Sequence, residues 1–259
     1  MADAPLLDCR GISKSFAQVH ALTNVDFEVR RGEVMALVGD NGAGKSTLIK
    51  GIAGIFPLDS GEVRFEDQTV HIHGPRDSAK LGIEVVYQDL ALADNLDVVA
   101  NMFLGRERTR GGYMLDEPSM EGTARETLDS LSVTTLQSVR QAVGALSGGQ
   151  RQAVAVAKSV MWNSKLVILD EPTAALGVAQ TREVLDLVRR LADRDLGVVI
   201  ISHNLHDVFE VADRITVLRL GQNVAVLNRA DTTQQEVVHA ITAGTLDTVP
   251  GMNGEKTDA

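Results

Sequence analysis

The chain has 259 residues, 44% hydrophobic but only 3% aromatic, so one large domain or a domain with a subdomain is expected, its core filled by aliphatic side chains. A net charge of −10 argues against a general nucleic-acid binder, which needs a basic face, and no nucleic-acid partner is expected. The single cysteine, Cys9, leaves no internal disulfide and fits a reducing compartment, and no apolar run approaches the ~20 residues of a membrane span.

Residues 1–5 lack the basic-then-apolar pattern of a signal peptide, so none is expected. Residues 6–10 read as a first strand and 12–19 as a loop. Over 24–30, Val25, Phe27 and Val29 alternate with Asn24, Asp26, Glu28 and Arg30, which predicts a half-buried antiparallel strand. The run Val34-Met35-Ala36-Leu37-Val38 predicts a buried strand, and a helix is expected from Leu48. Between them stands Gly39-Asp40-Asn41-Gly42-Ala43-Gly44-Lys45-Ser46-Thr47, a G-x-x-x-x-G-K-[ST] sequence in its required strand–loop–helix setting. Backbone N–H groups and a helix start there favour a polyphosphate. Lys45 would reach the β- and γ-phosphates and the Ser46 hydroxyl would hold Mg²⁺.

A hairpin is predicted over 62–65 and 68–72, with His71 and His73 as solvent-facing strand residues because further metal ligands are missing nearby. Residues 76–81 read as helix and 83–87 as a strand ending at Gln88. From about 91 to 160 the texture changes to a helical insertion, marked by Gly111-Gly112 and Pro118. Within it, Leu146-Ser147-Gly148-Gly149-Gln150 precedes an amphipathic helix. These residues read equally as an ordinary N-cap or as a second anion-binding nest. The strand 166–170 ends in Asp170 and Glu171. Beside a phosphate loop, Asp170 fits a Mg²⁺ ligand and Glu171 a general base for water. Asp116-Glu117-Pro118 repeats the triplet without a preceding apolar strand and reads as a helix start or turn. A helix over 181–193, a strand over 197–201, a helix over 205–212, a hairpin turning at Gly221-Gln222 and a helix over 236–242 complete the order. The tail 246–259 is expected to be disordered.

Taken together, five segments resemble the ATP-binding cassette (ABC) ATPases: the loop 39–47, Gln88, the Leu146–Gln150 signature, the strand ending at Asp170-Glu171, and His203 after Ile200-Ile201-Ser202. The resemblance covers nearly the whole chain. It implies an α/β fold with a phosphate-loop NTPase (RecA-like) core, an N-terminal antiparallel β subdomain and a helical signature subdomain, within a domain spanning 1–245. It implies ATP and Mg²⁺ as cofactors. Phe16, with Val19 nearby, would stack on adenine. Ser46, Asp170 and Gln88 would form the Mg²⁺ shell, Glu171 would activate water, and His203 would contact the γ-phosphate. The resemblance further implies a head-to-tail pair, so that Ser147, Gly148, Gly149 and Gln150 of a second copy close the site. At Gly177 the chain departs from the family, which usually has an aspartate there that couples the two sites. Wording around 87–96, 171–178 and 202–214 is similar to the monosaccharide importer branch (ribose, xylose, fructose type). That branch implies a peripheral ATPase at the cytoplasmic face of the cell membrane. Its partners would be integral membrane permease subunits and, indirectly, a periplasmic sugar-binding protein.

Overall fold

The apolar runs read as buried strands occupy the centre of the molecule because both of their faces are covered. In the computed structural model, which describes residues 4–244, Val34–Val38 sends Val34, Ala36 and Val38 into one aliphatic core and Met35 and Leu37 into another. Leu166–Asp170 and Gly197–Ile201 alternate between the same two cores. This is why they read as continuous apolar runs rather than as alternating ones.

In chain order the strands are β1 (Leu7–Phe16), β2 (Val19–Val29), β3 (Val34–Val38), β4 (Ser60–Phe65), β5 (Gln68–Thr69), β6 (Ile83–Val86), β7 (Thr109–Arg110), β8 (Met114–Leu115), β9 (Leu166–Asp170), β10 (Gly197–Ile201), β11 (Arg214–Arg219) and β12 (Gln222–Asn228). The helices are α1 (Lys45–Ile52), α2 (Pro75–Leu81), α3 (Val98–Phe103), α4 (Glu117–Ser130), α5 (Gly148–Val160), α6 (Val178–Ala192), α7 (Leu205–Val211) and α8 (Gln234–Ala243). The main sheet runs β12-β11-β3-β10-β9-β6, parallel from β11 to β6 with antiparallel β12 at its edge. A separate antiparallel sheet, β2-β1-β4-β5, shares the second core with α1. The helices α3, α4 and α5, together with the small β7–β8 hairpin that turns at Gly111-Gly112, form the helical insertion. Asn101 on α3 is fully buried and bonds the backbone of Ala93, Leu96 and Asp97, which fixes the connection from β6 into that insertion.

Four readings are corrected. Residues 12–16 continue β1 rather than forming a loop, because Ile12 and Leu22 fill the second core and Ala17-Gln18 suffice as a turn, Ala17 taking φ 53°. The second strand of the hairpin after β4 ends at Thr69, so His71 and His73 are exposed but lie beyond it, their rings 6.3 Å apart. The final hairpin turns at Leu220-Gly221, where both residues have positive φ. The strand carrying Asp170 is not beside the loop strand, since β10 lies between them. The tail expected to be disordered lies outside the described residues.

Candidate nucleotide site

The parallel strands β3, β10, β9 and β6 all end at one edge of the main sheet, and each is followed there by a residue already singled out. The loop 39–47 follows β3, Ser202-His203 follows β10, Asp170-Glu171 closes β9, and Tyr87-Gln88 follows β6. Ligands of open α/β sheets bind at this carboxyl edge. The loop's glycines divide by cause. A Cβ on Gly39 would lie 2.2 Å from the Leu218 carbonyl oxygen, and one on Gly44 would lie 2.8 Å from that of Ala21. These two glycines therefore answer to packing against neighbouring strands. Gly42, at φ 80°, opens onto free space.

Gly44 caps α1 in the left-handed conformation, with no side-chain hydrogen bond and no acidic residue in the first turn. The helix thus presents N–H groups and its positive end without a built-in anion. Lys45 folds back along the loop, its Nζ donating to the carbonyls of Gly39 at 2.7 Å and Asp40 at 3.0 Å. Partial burial holds its pKa down, against the opposing charges of Glu171, Asp40 and Asp170. An ammonium in this position can exchange those carbonyls for the oxygens of an anion.

Asp170 has its pKa raised, first by burial and then by the neighbouring Glu171 charge, with Lys50 and Lys45 opposing. Glu171 sits at φ 50°, a left-handed conformation that costs a non-glycine residue on the order of 1 kcal/mol or more. Its N–H is held by the Ile201 carbonyl at 2.9 Å. The turn aims the carboxylate across β10, and Nδ1 of His203 lies 2.8 Å from its Oε2. The side chain of His203 is 77% exposed and that of Glu171 only 17%, so the pair spans from the site floor to solvent. Among the described residues no group of three His, Cys, Asp or Glu is placed to hold a metal. The donors present, a Ser46 hydroxyl and one carboxylate, fit Mg²⁺, which uses few protein ligands and takes the rest from phosphates and water.

Gln88 is exposed in the bend after β6. Phe16 closes β1 directly opposite Val19, and both are exposed, at 45% and 66%. Read from the residues alone, Phe16 would be a strand-edge core residue; its exposure instead leaves ring surface free. The signature segment starts α5, with a capping box in which Ser147 Oγ accepts the Gln150 N–H and Gln150 Oε1 accepts the Ser147 N–H. It rests on the start of α6, where a Cβ on Gly148 would meet Leu176 and one on Gly149 would meet Gln180. Within one chain α5 packs chiefly on α3, α4, α6 and β6. Asp116, in the repeated triplet, caps α4 as the sequence suggests.

Two groups escaped the sequence reading. Burial raises the pKa of Tyr87, and the Asp170 charge adds to that rise. Buried Asp207 accepts from Thr173 Oγ1 at 2.6 Å and from Asn204 Nδ2 at 2.9 Å, tying the turn after Glu171 to the helix after His203. An acid in the first turn of α7 is a legible cap signal, but its partner Thr173 is 34 residues away and was not legible.

The family model described as "ABC transporter" matches residues 22–174. The chain is 47% identical over 248 residues to the fructose import ATP-binding protein FrcA of Rhizobium meliloti, covering 93% of this chain and 95% of that one. It is 45% identical to the xylose/arabinose import ATP-binding protein XylG of Sulfolobus acidocaldarius, covering 94% and 96%. The ribose import ATP-binding protein RbsA of Yersinia pestis is 40% identical, and this chain spans 46% of its length. Among solved structures, the ADP conformation of an ATP-binding cassette of an ABC transporter superposes with a TM-score of 0.79 at 26% identity, covering 92% and 95%. A nucleotide-free cassette gives 0.78 at 27% identity, covering 87% and 92%. With the loop, the carboxylate pair, the histidine and the capped signature helix in these positions, the chain belongs to the ATP-binding cassettes of the ABC transporter family.

Proposed function

We propose that this chain is the ATP-hydrolysing subunit of a monosaccharide importer of the fructose, xylose or ribose type, working as a pair of copies against integral membrane permease subunits. The observation that carries the ATPase chemistry is the Glu171–His203 contact at the carboxyl edge of β9 and β10. Backbone N–H groups of the loop 39–47 and Lys45 bind the phosphates. Ser46 and Asp170, with Gln88 alongside, would hold Mg²⁺, which would supply positive charge against the phosphate oxygens. Glu171 accepts the proton of the attacking water, and His203 orients that carboxylate and meets the γ-phosphate. Phe16 and Val19 take the base. Ser147, Gly148, Gly149 and Gln150 of the second copy complete the phosphate shell, so closure follows nucleotide binding and opening follows hydrolysis.

The choice of sugar import is supported by the import ATP-binding proteins for fructose, xylose/arabinose and ribose that resemble this chain. Docking to a permease is supported by a groove of about 220 Å³ beside Gln88, lined by Tyr87, Met102, Leu104, Trp162, Arg106 and Lys158. Lys158 there is partly desolvated and its pKa is lowered by burial and by Arg106. No helix among the described residues is long and apolar enough to cross a membrane. In this reading the groove is what meets the permease at the cytoplasmic face. A periplasmic sugar-binding protein acts on the far side of the permease.

The test is Glu171→Gln. ATP hydrolysis should fall at least ~100-fold, as for loss of a general base, while ATP binding persists and the ATP-bound protein runs as a dimer in size-exclusion chromatography. Unchanged turnover would remove Glu171 from the mechanism. Co-purification with an integral membrane protein encoded beside it, and loss of sugar uptake in a deletion strain, test the transport reading.

A further inference from the structure

The base end of the site holds a buried charge that the phosphate chemistry does not use. Lys14 lies on β1 two residues before Phe16 and is only 8% exposed. A buried ammonium is costly unless paired. Here Nζ donates to Asp59 Oδ1 at 2.7 Å and sits 5.4 Å from the centroid of the Phe16 ring and 5.5 Å from that of Phe56, within cation–π range. The Phe16 and Phe56 rings meet edge to face at 5.1 Å. The segment supplying Phe56 and Asp59 leaves the end of α1 and is zipped to β1. The Asp59 N–H donates to the Ser13 carbonyl at 3.0 Å, and the Ser15 N–H donates to Asp59 Oδ2 at 2.7 Å. The same bonds, Lys14 first and Ser15 second, hold the Asp59 carboxyl below its ordinary pKa.

We propose that Lys14, anchored by Asp59, and Phe56 are positioning residues that brace the Phe16 ring as a fixed platform for the nucleotide base. This inference rests on Phe16 being that platform. An exposed phenylalanine at a strand end otherwise loses rotamer freedom only when the base arrives, and prior immobilisation removes that cost. The brace has a second consequence. α1 carries the phosphate loop at its start and the Phe56–Asp59 segment follows its end, so one rigid unit sets both the phosphate and the base positions.

The test compares dissociation constants of the full chain for ATP and for inorganic tripolyphosphate, each with Mg²⁺. Tripolyphosphate reads the loop without the base. Phe16→Ala should weaken ATP by about tenfold, the scale of base–aromatic stacking, and leave tripolyphosphate unchanged. Lys14→Met and, independently, Phe56→Leu should each weaken ATP about three- to tenfold with tripolyphosphate again unchanged. Thermal unfolding of each variant checks the fold; if Lys14→Met unfolds, Phe56→Leu carries the test. A merely structural role would weaken both ligands together, and that result overturns the proposal. If Phe16→Ala raises the ATP-to-tripolyphosphate ratio but Lys14→Met and Phe56→Leu leave it unmoved, the platform stands and the brace falls. If Phe16→Ala leaves the ratio unmoved, the platform reading itself fails.

Discussion

Two helix starts in this molecule, α1 after the loop 39–47 and α5 after Ser147, are finished differently. At α1 no side chain caps the helix, and Lys45 is folded onto its own loop's carbonyls. At α5 Ser147 and Gln150 cap each other, and Gln150 Nε2 also donates to the Thr135 carbonyl at 2.7 Å. Neither first turn contains an acidic residue. The α1 terminus has N–H donors that no side chain caps, which leaves them open to an anion. The α5 terminus has already satisfied part of its need and has less to gain from an anion. That suits a surface which engages only when a second copy brings the nucleotide to it and which must also let go.

The comparison breaks first at Lys45. Lys45→Ala should weaken ATP on the order of 10–100-fold, the scale of a lost charge-assisted hydrogen bond, measured by titration of the isolated chain. A change below threefold would mean that the backbone alone holds the phosphates.

Ser147→Ala should act in the opposite pattern. It removes half of a capping box and should cost about 1 kcal/mol of stability. It should lower ATP turnover while leaving the monomer's affinity for ATP within about twofold, since in the proposed pair α5 meets only the other copy's nucleotide. A parallel loss of monomer affinity would place the signature segment in its own chain's site.

Asp170→Asn sharpens the contrast by asking what the floor of the α1 site costs. Its folded pKa is raised by burial and by Glu171. The contribution of the neutral carboxyl is therefore fully present below its ordinary value of about 4 and is lost as the pH rises through the folded value. At neutral pH the variant without nucleotide should melt about 1–2 °C higher than the wild type, and the gap should close on acidification towards pH 4, while hydrolysis is lost. A variant less stable at neutral pH would mean that Asp170 is held by favourable partners.

The smallest effect belongs to Gly177, the N-cap of α6, on which the signature glycines rest. A Cβ there meets open space, and the backbone is extended at φ −74° and ψ 162°. Gly177→Asp should therefore fold and gain a few tenths of a kcal/mol through capping. Denaturant midpoints measure that gain, and the steady-state rate reports whether a carboxylate at this turn changes coupling between paired sites.

The chemistry-bearing residues were legible because each lies next to a pattern that local physics enforces. Val34 to Val38 had to be a buried strand, so the glycine-rich segment after it had to be a strand–helix loop. Leu166 to Leu169 likewise delivered Asp170 and Glu171 to a strand end. The capping box at Ser147 is a local exchange of hydrogen bonds written three residues apart. Residues 12–16 were less legible. The alternation of Ile12, Lys14 and Phe16 continues the strand, but a lysine on the inward face reads as a loop until Asp59, 45 residues on, is known to meet it.

What the sequence determined by itself was therefore the set of strand ends and helix starts, each with its polar residues, because hydrophobic period and capping act over a few residues. What only the tertiary structure decided was their order in space. The insertion of β10 between β3 and β9 brings His203 to Glu171. The left-handed turn at Glu171 aims its carboxylate, and Asp207 joins the two turns behind it. Those contacts depend on strand pairing and on side-chain pairs 32 and 34 residues apart, and no short-range pattern encodes which distant strand a β-strand will choose.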